Sequence, residues 1–79
     1  MKLAEAVSER IKELLKEKNM SQYRLKKITR LNEKTVDDII KCKTKEVKFS
    51  TIYIITSAFD MSLIGFLRSK LFDKANIDI

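Results

Sequence analysis

Leu3, Val7, Ile11, Leu14 and Leu15 recur at spacings of three and four residues, while Glu5, Glu9, Arg10, Lys12, Glu13, Lys16 and Glu17 fill the positions between them. One apolar stripe on an otherwise charged cylinder marks an amphipathic helix packed on a core, here over about residues 3–18. The breaks that follow are marked by capping residues. Asn19 tolerates the left-handed conformation that ends a helix and Ser21 is a good N-cap, so a second helix is expected over 21–28, anchored by Leu25 and Ile28. Asn32 suits the cap of a third helix, 32–41, with Val36, Ile39 and Ile40 inward and Glu33, Lys34, Asp37, Asp38 and Lys41 outward. Beyond a linker over 42–49, Ser50 fits as the cap of a fourth helix, 50–58, with Ile52, Ile55, Ala58 and Phe59 inward. Ser62 then caps a fifth, 62–72, with Leu63, Phe66 and Leu67 inward. Residues 49–56 are rich enough in β-branched and aromatic side chains to read as a strand, but no second strand exists to pair with them. The pattern therefore predicts one all-α, five-helix domain over residues 1–79.

Composition narrows what such a domain does. A chain of 79 residues with 44% apolar content has interior volume for one core. Its apolar runs are far shorter than the roughly 20 residues of a membrane span, and its start lacks an apolar signal core, so a soluble cytoplasmic protein with no membrane partner is expected. One cysteine, Cys42, leaves no internal disulfide, and no histidine is present to bind zinc or act as a general base. With no nucleophile–base pair, metal cluster or Gly-rich phosphate loop, the sequence points away from an enzyme and names no cofactor.

The net charge of +6 is unevenly placed. Residues 21–48 hold nine basic and four acidic side chains, whereas 49–79 hold three of each. A basic segment of this kind fits a polyanion as well as a solvated surface.

Two short helices joined by a turn of about three residues, over 21–41, form the unit that lays one helix across a phosphate backbone and the next into the major groove. Ser21-Gln22, Leu25, Thr35-Val36, Cys42-Lys43 and Thr51-Ile52 stand in the order and at the spacing of a known pattern. On these residues, the stretch from about 3 to 68 resembles the Xre/Cro-type phage-repressor helix-turn-helix domain, with its five-helix lambda-repressor-like fold. The sequence departs from that pattern at Arg30, where the turn carries glycine, and at Lys26, where a small residue lets the second and third helices approach. Cys42 replaces a glycine and Val47 a proline.

The resemblance implies a sequence-specific transcriptional regulator that acts as a repressor and binds double-stranded DNA. Base contacts then fall on Glu33, Lys34, Thr35 and Asp38, with Lys34 suited to guanine N7 and O6 and Asp38 to cytosine N4. Phosphate contacts are expected at Gln22, Tyr23, Lys41, Lys43 and Lys45, with Arg24 and Arg10 as neighbours. The resemblance also implies a homodimer through the fourth and fifth helices, using Ile54, Ile64, Leu71 and Phe72, which sets two recognition helices about 34 Å apart.

Three acids against two bases over residues 32–41 run counter to entry into a negative groove. Asp37 and Asp38 read as a solvated face paired with Lys41 or Lys34, as cytosine readout by Asp38, or as the mark of a lost DNA function. In the last case the fold is a protein-interaction module, or an antitoxin-like protein holding a protein partner on helices four and five. Cys42, flanked by Lys41 and Lys43, has the basic setting of a redox thiol, but the C-terminal end of a helix disfavours a thiolate.

Overall fold

The apolar stripe of the first segment closes on four further helices in the computed structural model, which describes residues 1–78. The elements are α1 (Leu3–Glu17), α2 (Gln22–Thr29), α3 (Glu33–Ile40), α4 (Phe49–Ala58) and α5 (Leu63–Leu67), followed by 3-10 turns at Lys70–Phe72 and Lys74–Asn76. Among the described residues there is no strand. Residues 49–56 are helical, and Ile52 and Ile55 are buried in the core. That core also takes Val7, Ile11, Leu14 and Leu15 from α1, Leu25 from α2, Val36, Ile39 and Ile40 from α3, and Phe59 and Phe66. No described helix is long and apolar enough to cross a membrane.

The start signals work largely as read. The side chains of Ser21, Asn32 and Ser62 accept the backbone N–H of Arg24, Lys34 and Gly65 respectively. The fourth helix differs: it begins at Phe49, the backbone carbonyl of Lys48 accepts the N–H of Ile52 at 3.1 Å, and the Lys48 side chain, which has no acceptor, makes no cap bond. Ser50 thus lies inside the helix.

The stops depend on left-handed residues that are not glycine. Asn19, Arg30, Cys42 and Asp60 have φ between 52° and 58°. At Cys42 the motif is closed by two bonds, Cys42 N–H to Ile39 and Lys43 N–H to Asp38, which use carbonyls that the end of α3 would otherwise leave free. Arg30 and Cys42, with ordinary Cβ atoms, each carry roughly 1 kcal/mol of strain in this conformation.

Three apolar positions depart from the expected pattern. Leu3 is exposed on α1, Ile28 on α2 and Leu67 on α5. The fifth helix stops at Leu67 and does not continue to residue 72. Its end has a specific cause: the carbonyls of Gly65 and Phe66, which a continuing helix would offer to Ser69 and Lys70, accept the guanidinium of Arg10 at 3.2 and 2.8 Å. The chain then turns back, so that Phe72 lies half-buried against the core with its ring centroid 5.9 Å from that of Phe66. Phe72 thus spends part of its surface on the core and is less available to a partner than a side chain on an outer helix face. Leu71 is half-buried beside it, in a cleft with Met1 and Ile40.

Candidate nucleic-acid interface

The arrangement of α2 and α3 follows from a three-residue turn, Arg30-Leu31-Asn32. Arg30 turns left-handed after donating its N–H to Lys26, Leu31 packs on the core, and Asn32 opens α3. One face of α3 buries Val36, Ile39 and Ile40. The carbonyl of Ile40 accepts the buried Ser8 hydroxyl at 2.7 Å, which fixes the end of α3 to α1. The opposite face carries Glu33, Lys34 and Thr35, all exposed, with Asp38 half-buried. Thr35 and Asp38 line a groove of about 500 Å³ whose other wall is Thr44, Glu46, Lys48 and Thr51.

The departures at position 26 and in the acidic pair have a joint explanation. Lys26 reaches from α2 to Asp37 on α3, Nζ to Oδ1 at 2.7 Å, with only 18% of the lysine side chain exposed. A long side chain replaces close packing of two helices with an interhelical ion pair, its stem buried along the junction. Asp37 is thus neither paired with Lys41 or Lys34 nor turned to solvent: it joins the two helices. Lys34 pairs instead with Asp38, at 3.0 Å. Of the three acids that weigh against a groove-binding helix, Asp37 and Asp38 are therefore paired in place and, among the described residues, Glu33 is left without an ion pair.

The hydrogen bond from Lys26 holds the Asp37 carboxyl below its ordinary value, against partial burial, and the charges of Lys26, Lys41 and Lys43 act in the same direction. A carboxylate depressed in the folded state contributes stability above the unfolded pKa of about 3.9 and loses it as pH falls through the folded value. Asp37→Asn is therefore expected to destabilise the chain at pH 7. The gap from wild type should shrink as pH falls below the unfolded value of about 3.9 and vanish once the folded carboxyl is protonated, as read by urea unfolding across that range.

The positions expected to hold phosphate are all exposed: Gln22 and Tyr23 at the start of α2, and Lys41, Lys43 and Lys45 after α3. Lys27 stands over the Tyr23 ring, its ammonium 5.1 Å from the ring centroid. Arg24 is exposed beside them. Arg10 is not part of this surface. Its side chain is 12% exposed and held by Gly65, Phe66 and Glu13, the last at 2.8 Å. A helix-surface arginine gives no local signal of such a role.

Of the residues expected at a dimer surface, Ile54 and Ile64 are exposed, the latter 69%. Cys42 is exposed and in no disulfide. No group of described histidines, cysteines and carboxylates has the makings of a metal site.

Comparison with curated proteins gives no match. Among solved structures, the fold is similar to the crystal structure of the prophage Lp1 protein 11, with a TM-score of 0.82 and 25% identity, over 94% of this chain and 99% of that one. The model of the Cro/C1-type helix-turn-helix DNA-binding domain matches residues 10–65, which includes all of α2, the turn and α3. With most of its length matched, and with a capped helix-turn-helix whose second helix presents a polar outer face, the chain belongs to the Cro/C1-type helix-turn-helix DNA-binding family.

Proposed function

We propose that this chain, as one domain over residues 1–79, is a sequence-specific transcriptional regulator, acting as a repressor in the cytoplasm, and that it binds double-stranded DNA with α3 in the major groove. The observation that carries the reading is the placement of α3. Its apolar face is held by the core, its end is pinned by Ser8, and Glu33, Lys34 and Thr35 project outward with Asp38 beside them. Gln22 and Tyr23 on one side, and Lys41, Lys43 and Lys45 on the other, supply the phosphate donors that set the register of such a helix.

The chain binds as a homodimer through α4 and α5. Residues 49–67 carry a single formal charge, Asp60, in a chain of net charge +6, so this is the face on which two copies meet with least repulsion. Phe49, Tyr53, Ile54, Ile64 and Leu67 are its exposed apolar groups. Leu67 is exposed on this face, whereas Phe72 is half-buried against the core.

Selection of bound sequences from random duplex DNA tests both statements. The expected motif is a pseudo-palindrome with half-sites about 10 base pairs apart, one turn of duplex. A motif with no internal symmetry would remove the dimer, and recovery of no motif at all would remove sequence-specific binding.

A further inference from the structure

Lys34 and Asp38 stand one helical turn apart on the outer face of α3, and their head groups meet, Nζ to Oδ2 at 3.0 Å. The lysine side chain is 81% exposed and the aspartate 28%, so the pair lies at the surface with the ammonium outermost. Asp37 is engaged by Lys26, and among the described residues Glu33 makes no ion pair. Lys34 therefore has Asp38 as its defined partner. An ammonium has three donors and a carboxylate about four lone-pair sites, so each group keeps capacity after the bond between them. At one point α3 offers a donor and an acceptor side by side.

The major-groove edge of a G·C pair presents the complementary arrangement. Guanine N7 and O6 accept, and the cytosine N4 amino group donates. O6 and N4 are themselves joined by an N–H···O hydrogen bond, so they lie about 2.9 Å apart. That separation matches the distance between Nζ and Oδ2. Resting on the reading of α3 as the recognition helix, we propose that Lys34 and Asp38 form a single unit that reads one G·C base pair, Nζ donating to guanine and Oδ2 accepting from cytosine N4.

The same chemistry ranks the alternatives. T·A in the same orientation keeps an acceptor and a donor in place but sets the thymine methyl where guanine has N7, so the ammonium loses its second acceptor. C·G turns the amino group toward Lys34 and the carbonyl toward Asp38, which opposes like to like. Two independent readers would behave differently. Residues four apart are separated by about 6 Å along a helix, and base pairs by about 3.4 Å, so unpaired side chains would address two positions in the site.

The test is competition binding of the full chain to the selected duplex with each of the four base pairs at every half-site position, for wild type, Lys34→Ala, Asp38→Ala and the double variant. One position is expected to prefer G·C over C·G by about ten-fold or more, with T·A between them. Either single substitution removes most of that preference, and the double variant removes little more, because the two act as one unit. Both side chains lie on the outer face, so circular dichroism serves as a control for intact helix. Two positions, each lost with a different substitution, would overturn the proposal, as would a G·C preference that survives Lys34→Ala. In either case the wider reading of α3 stands. Absence of any salt-sensitive duplex binding by wild type would remove both.

Discussion

Replacing Lys41, Lys43 and Lys45 together by alanine should flatten the salt dependence of DNA binding while leaving base preference unchanged. Each lysine that neutralises a phosphate releases counterions, and the slope of log K against log salt changes by about 0.9 for each. Three contacts amount to about 2.7, so between 50 and 200 mM salt the wild type should lose roughly 40-fold more affinity than the variant. None of the three takes part in a described ion pair, and all are exposed, so the fold should be undisturbed. Fluorescence anisotropy with the selected duplex at four salt concentrations reads the slope directly. Parallel slopes would place these lysines outside the interface and leave them a role in solubility alone.

The second large effect concerns stability. Phe66 is fully buried, faces the Phe72 ring, and has the Arg10 guanidinium 5.9 Å from its own ring centroid. Phe66→Ala is expected to cost about 3–5 kcal/mol through lost burial and the cavity left behind. A domain of this size has about 4–12 kcal/mol in all, so the variant should melt some 15–30 °C lower. Leu67→Ala, one residue away and 38% exposed, should cost clearly less, about 1 kcal/mol, because its side chain is only partly removed from water. The contrast fixes the register of α5, and equal losses at the two positions would contradict it.

That register shows where the sequence was readable and where it was not. The stripe of Val7, Ile11, Leu14 and Leu15 reports burial because α1 has one dry face from Val7 onward, whereas Leu3, in its first turn, is exposed. The side chains of Ser21, Asn32 and Ser62 report helix starts because each satisfies a donor only a few residues away. These are local signals. The end of α5 depends on Arg10, more than fifty residues earlier, and nothing in the spacing of Leu63, Phe66, Leu67 and Leu71 carries that information. Ile28 occupies a plausible inward position on α2, but in so short a helix a small rotation is enough to expose it. The helix stops were half legible. Asn19 is a familiar left-handed residue, whereas Arg30 and Cys42 declare themselves only by standing where the family carries glycine.

The site divides in the same way. The exposure of Glu33, Lys34 and Thr35 follows from the apolar positions of α3, since Val36, Ile39 and Ile40 fix which side faces the core. The partners of the acids do not follow from sequence spacing alone. Lys34 can meet Asp37 or Asp38 on one helix, and Asp37 finds Lys26 only because α2 and α3 cross there. Lys26 and Asp37 each look out of place in their own helix and account for one another once the two helices are set together. The joint oddity was the available signal, and it required the fold to be interpreted.

The most direct test of α3 as the reading helix is an NMR titration of the labelled chain with the selected duplex at moderate salt, followed through backbone amide shifts. Perturbations are expected to concentrate on residues 33–38, on Gln22 and Tyr23, and on residues 41–45, with smaller changes across α5. Large shifts confined to α4 and α5, with Glu33 to Asp38 unmoved, would contradict the account and move the binding surface to the other side of the molecule.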